Sequence, residues 1–198
     1  MYAHAHAPLR IGIAGGGTDL PVWTRERTGY CLSLAIDLRA HAVCFHRPDR
    51  RVVASYSVRE EAAFATEIGN GLIRESALAA GLEDAFEVHT YAAVSSRGSG
   101  LGVSSALAVA LAACFQRFAI LRSNLRPVGE TAAGEDRAVL RAKDAWTVEI
   151  DRLRRPVGRQ DHMAAAYGGL RLYAFEGETA RVEQTFSERD ALWVAHHL

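Results

Sequence analysis

Residues 103–121 are apolar nearly all the way round until Gln116 and Arg117. A helix without a polar face has to be wrapped on every side. This stretch therefore predicts a buried central helix with the other elements packed around it. Its longest unbroken apolar run, 106–115, is ten residues, and spanning a bilayer takes about 20. The helix reads as the centre of a soluble core, and no membrane partner is expected. A chain of 198 residues supports such a core, since folding at this size buries roughly 70% of the unfolded surface.

The elements around that helix follow from periodicity. Residues 9–14, 31–36, 41–45, 51–57 and 86–92 read as strands, from β-branched or alternating apolar positions. Helical spacing appears over 67–80, where Gly81 supplies a left-handed stop, over 136–153, and over 159–167 ahead of Gly168-Gly169. Strands are expected again at 170–175, 181–185 and 192–195. Strands early, helices in the middle and strands late describe an α+β fold rather than βαβ alternation. No repeat or Pro/Ser-rich linker divides the chain, so residues 1–198 read as a single domain.

Composition removes several function classes. Lys plus Arg number 23 against 23 Asp plus Glu, a balance that argues against a nucleic-acid partner. Lys143 is the only lysine and Asp144 follows it, so no Walker A loop is present. Cys31, Cys44 and Cys114 lie far apart in apolar runs and predict buried thiols in a reducing compartment. His4, His6, His196 and His197 sit near the chain ends, where solvent is expected rather than a metal. The first ten residues lack the basic and apolar regions of a signal peptide, and a cytoplasmic location is expected.

Chemistry concentrates in three segments. In 7–23 a strand runs into Gly15-Gly16-Gly17 and then Thr18-Asp19. Glycines allow positive φ and close approach to a ligand. Leu20 breaks the spacing of a dinucleotide fingerprint. A plain turn with Asp19 as a helix cap is the alternative. In 95–111, Gly98, Gly100 and Gly102 lead into a helix opening at Ser104-Ser105. A glycine loop at a helix N-terminus suits a phosphate, and equally an ordinary serine cap. In 146–169 two acids stand out: Glu149, and Asp161 in an otherwise small-residue helix. A surface Glu and a helix-start acid are the plainer readings of these two.

Taken in order, the three segments resemble the GHMP kinase superfamily, sugar and isoprenoid kinases that include galactokinase and mevalonate kinase. Ala7, Pro8, Arg10, Gly15, Thr18 and Asp19 fall in register with that family's APGRVNLIGEHTD segment, and 100–106 resembles its GLGSSA loop. AGGGTDLP and LRRPVGRQDHMAAAYGGL most closely resemble the D-glycero-D-manno-heptose 7-phosphate kinase group.

The resemblance implies the α+β N-terminal domain of these kinases (ribosomal protein S5 domain 2-like), a mixed sheet packed on helices. It implies ATP and Mg²⁺ as cofactors, and phosphoryl transfer to the anomeric hydroxyl of a sugar phosphate. Gly98, Ser99, Gly100, Leu101, Gly102, Val103, Ser104 and Ser105 would wrap the ATP phosphates, and Ser104 and Glu149 would hold Mg²⁺. Asp161, 12 residues after Glu149, would be the catalytic base, with Arg10 beside it. Gly16, Gly17, Thr18 and Asp19 would meet the sugar, and Arg155 and Arg159 are candidates for its phosphate. Val103 stands where the family has its first serine, and Ser96-Arg97 where it has prolines. The family's second domain is absent from these 198 residues, so a partner polypeptide or self-association is expected at the face it would cover. The alternative function is a non-catalytic ATP-binding remnant, or one half of a split kinase.

Overall fold

The structure, a computed structural model, describes residues 1–95, 98–123 and 134–198. Within them, β1 (Tyr2–Ala14), β2 (Gly29–His46), β3 (Val52–Ser55), β4 (Arg59–Ala62), β5 (Phe86–Ala92), β6 (Leu170–Glu176) and β7 (Thr179–Thr185) form one mixed sheet. The long β2 organises it. β1 runs antiparallel along one edge, while β5 and β6 share the other, pairing with 40–46 and 29–34 respectively. β3 lies parallel to β5 with β4 outside it, and β7 closes the far end beyond β6.

The helices are α1 (Pro21–Thr24), α2 (Gly71–Ala79), α3 (Val103–Arg122), α4 (Gly134–Trp146), α5 (Gln160–Tyr167) and α6 (Glu188–His197). As its pattern requires, α3 sits in the middle, against β1, β2, α2, α4 and α5. By length and composition α3 is apolar enough to cross a membrane, yet most of its residues between Val103 and Phe118 are buried within this fold, Gln116 and Arg117 excepted. Phe115 meets Phe86 edge-on at 5.5 Å, and the Cys114 thiol donates to the Ala3 carbonyl at 3.4 Å. A smaller apolar cluster of Cys31, Trp146, Met163, Tyr173 and Phe175 sits beneath α5. All three cysteines are free and buried, as expected.

The α+β mixed sheet on helices agrees with expectation, and several elements differ in detail. The expected strands 31–36 and 41–45 are one strand, because alternation carries on through Ala40 and Ala42. β1 starts at Tyr2, so His4 and His6 belong to the sheet, where His4 stacks on His41 at 5.5 Å. The expected helix at 67–80 starts at Gly71, where Asn70 Oδ1 accepts from the Ile73 N–H at 3.2 Å. The expected strand at 192–195 is part of α6. Ser187 and Asp190 cap each other's backbone N–H groups and start a helix that the local apolar pattern did not announce. The expected helix over 136–153 divides into α4 and a wider π-helical turn, Thr147–Arg152.

Candidate active site

The glycine loop ends at Gly102, which has φ 71° and a neighbour that explains the absence of a side chain. A Cβ there would stand 3.2 Å from Asp161 Oδ2. Gly98 and Gly100 also have positive φ, of 74° and 66°. The N–H groups of Val103, Ser104 and Ser105 open α3, where a helix offers its own N–H groups no acceptor. α3 has no acidic residue of its own in that first turn, so the carboxylates near the positive end of its dipole come from other elements. The Val103 side chain is buried in the core.

Arg10 joins this loop to Asp161. Its backbone N–H donates to the Leu101 carbonyl at 3.1 Å and its Nη1 to the Gly100 carbonyl at 2.5 Å. The rest of the guanidinium grips Asp161 Oδ1, with Nε at 2.7 Å and Nη2 at 2.5 Å. Asp161 lies in the first turn of α5, with its side chain 24% exposed, so it is both fixed and reachable.

Glu149 lies in the π-helical turn, where the widened backbone carries it under the start of α3. It is fully buried. Oε1 accepts from Ser104 Oγ at 2.5 Å and from Arg155 Nη1 at 2.5 Å. Oε2 accepts from Ser105 Oγ at 3.0 Å and from His162 Nε2 at 2.8 Å. Burial pushes this carboxyl up, but the hydrogen bond and charge of His162, with those from Ser104 and Arg155, outweigh it and hold the pKa at about 2.

The loop 15–19 forms the facing wall. Gly15, with φ 83°, lies so close to the Tyr30 carbonyl that a Cβ would stand 1.8 Å from it. Thr18 Oγ1 sits 2.8 Å from the Gly15 carbonyl and 2.9 Å from that of Tyr30, and accepts from the Tyr30 N–H at 3.0 Å. That pins the loop to β2. Gly17, Asp19 and Leu20 then face Pro156, Val157, Gly158, Gln160 and Asp161 across a cleft of about 230 Å³.

The expected residues thus gather in two adjoining groups, Arg10 with Asp161 and the loop, and Glu149 with the two serines. Ser105 and Val103 turn their side chains inward, leaving their backbone for a ligand. Arg159 does not face the cleft: it is buried, donates to the Gly177 carbonyl at 2.8 Å and lies over the Trp146 ring. Ser96-Arg97 lie outside the described residues. Sequence reasoning missed His162 altogether. Its signal was adjacency to Asp161, because successive helical residues point about 100° apart, one here to the cleft and the next to Glu149.

The donor set suits a hard cation. Ser104 Oγ and Glu149 Oε1 both contact the Arg155 guanidinium, a positive group already seated between two oxygens. Among the described residues no group of three or more His, Cys, Asp or Glu is placed to hold a metal ion. Mg²⁺ does not need one, since it binds through one or two protein oxygens plus phosphate and water.

No protein-family model matches the sequence. The chain is 33% identical over 180 residues to the D-glycero-alpha-D-manno-heptose 7-phosphate kinase of Campylobacter jejuni, an alignment covering 85% of this chain and 49% of that protein. A D-glycero-D-manno-heptose 1-phosphate kinase from Bacteriodes thetaiotaomicron superposes with a TM-score of 0.78 at 24% identity, over 100% of this chain and 63% of that one. The Methanococcus jannaschii mevalonate kinase superposes at 0.65 with 12% identity, over 97% and 58% of the two chains. The fold is that of the N-terminal domain of GHMP kinases, the class to which these similar proteins belong. Within the class, its curated relative is a heptose phosphate kinase. The chain spans about half the length of that relative.

Proposed function

We propose that this chain forms the catalytic floor of a sugar-phosphate kinase that moves the γ-phosphoryl of ATP to the anomeric hydroxyl of a heptose 7-phosphate-like sugar. The observation that carries the reading is the Arg10 bridge, which fixes Asp161 against the glycine loop through contacts of 2.7 Å and 2.5 Å. Phosphoryl transfer asks mainly for positioning and charge neutralisation. A carboxylate beside a phosphate-binding helix start supplies the first, and the helix dipole contributes to the second.

In this reading the loop 98–105 holds the ATP phosphates by backbone N–H groups. Asp161 takes the proton of the attacking hydroxyl, and Arg10 keeps Asp161 oriented. Gly16, Gly17, Thr18 and Asp19 shape the sugar side of the cleft. Ser104 and Glu149 would hold Mg²⁺, which when bound neutralises phosphate charge. A partner polypeptide or self-association covering the site belongs to the same proposal, and light scattering measures it.

The test is ADP release from ATP with Mg²⁺ and D-glycero-D-manno-heptose 7-phosphate, in the wild-type chain and Asp161→Asn. Sugar-dependent release that Asp161→Asn abolishes supports the reading, and equal release by both refutes it. A second reading, ATP binding without transfer, is favoured by the buried Val103 at the position of a family serine. Nucleotide binding without sugar-dependent turnover in any assembly would select it.

A further inference from the structure

Glu149 has no acceptor capacity left. A carboxylate offers about four acceptor positions, two on each oxygen. Ser104 and Arg155 fill those of Oε1, and Ser105 and His162 those of Oε2. A further partner enters only by taking the place of one already there.

The four occupants differ in how readily they leave. Ser105 and His162 are buried inside the fold and hold their bonds from there. Ser104 is itself the second oxygen of the proposed cation site. Arg155 alone combines a charge with exposure: its side chain is 38% accessible, and a guanidinium moves into water at little cost.

The backbone brings Arg155 back over Glu149 deliberately. Arg154 adopts φ 53°, a left-handed conformation that non-glycine residues rarely take. The Arg155 N–H then donates to the Glu149 carbonyl at 2.9 Å, closing the loop that follows the π-helical turn. Nη1 reaches Ser104 Oγ at 2.8 Å and Glu149 Oε1 at 2.5 Å, the same two oxygens assigned to Mg²⁺.

We propose that Arg155 is the resident cation of the Ser104–Glu149 site and is exchanged for a divalent metal ion when nucleotide binds. The proposal rests on the reading of Ser104 and Glu149 as metal ligands. Without the metal, Arg155 keeps the buried carboxylate paired, which an isolated buried charge requires. With it, Arg155 swings out, so the site carries a positive charge in both states. The metal therefore binds against a competitor built into the chain.

The experiment is a titration of Mn²⁺ alone into the 198-residue chain at fixed ionic strength, with free Mn²⁺ read by electron paramagnetic resonance. Arg155→Gln and the similarly long Arg155→Met remove the competitor, and circular dichroism checks that each is folded. Both are expected to tighten Mn²⁺ binding by about tenfold, the scale of one charge removed a few ångströms away. Adding Ser104→Ala, which leaves the buried bonds of Glu149 in place, is expected to abolish that gain. Unchanged or weaker binding in both Arg155 variants, with binding still sensitive to Ser104→Ala, overturns the exchange and leaves the metal-ligand reading standing. Absence of any Ser104-sensitive Mn²⁺ binding overturns both.

Discussion

Asp19 fills the space that a side chain at Gly158 would need: a Cβ built there stands 1.8 Å from Asp19 Oδ2. The same oxygen accepts from the Gln160 N–H at 2.9 Å, and Oδ1 lies 3.4 Å from Gln160 Nε2. An aspartate from the loop after β1 therefore serves the first turn of α5, the turn that carries Asp161. Asp19 does not cap the adjacent α1, whose N-cap is Leu20 without a side-chain cap bond; its carboxylate instead accepts from the first N–H of a helix 141 residues away. One wall of the cleft is thereby hydrogen-bonded to the other.

Gly158→Ala is expected to push Asp19 off Gln160 and cost about 1–3 kcal/mol, the usual range for overpacking. Urea melts measure the stability. The same variant should lose sugar-dependent turnover, since Asp161 is one residue from the disturbed contact. Unchanged stability and turnover would mean that the Asp19 contact tolerates displacement.

Asp161→Asn is expected to lower turnover by about 10²–10⁴, the range for removing a general base. ATP affinity should stay within about twofold, because in the proposed function Asp161 serves the hydroxyl rather than the nucleotide. Arg10→Met should lower turnover and weaken ATP binding together, since Arg10 also donates to the Gly100 carbonyl. Calorimetry with an ATP analogue, beside the coupled assay, separates the two patterns.

What was legible in the sequence was whatever is written locally. The nonpolar circumference of α3, the glycines ahead of it and the two acids after it could each be read in place, and the fold brings them together. Contacts between distant segments were not legible. Nothing near Asp19 announces Gln160, and nothing near Arg155 announces Ser104. The π-helical turn at Thr147–Arg152 escaped because one extra residue per turn barely alters an apolar pattern. α6 escaped because 192–195 is a short unbroken apolar run, which a strand and a helix share, while its helical signal, Ser187 with Asp190, lies upstream.

The thiols should be unreactive while the chain is folded. Burial raises Cys31 to about 11 and Cys114 to about 12, and it raises Cys44 further still. The thiolate is the reacting species. At pH 8 a thiol reagent such as dithionitrobenzoate is expected to modify fewer than one cysteine per folded chain within minutes, and all three in guanidinium. Rapid labelling of a folded thiol would show that the environment of that cysteine opens in solution.

Glu149 sets an acid limit on stability. Its pKa falls from an ordinary 4.5 to about 2, so between these values the unfolded chain binds a proton that the folded chain does not. Its contribution is therefore complete above pH 4.5 and is lost as pH falls through that interval toward 2. The size of the shift corresponds to about 3 kcal/mol at neutral pH. Glu149→Gln keeps the shape but gives up the charge that faces His162 and Arg155. The variant is expected to be less stable than wild type by a few kcal/mol at pH 7. The gap should hold to about pH 5 and narrow steadily below it, as wild-type Glu149 loses its advantage. Denaturant melts of both chains at pH 7, 5, 4 and 3 measure this directly. A gap that stays constant down to pH 3 would mean that Glu149 contributes through packing rather than through its charge.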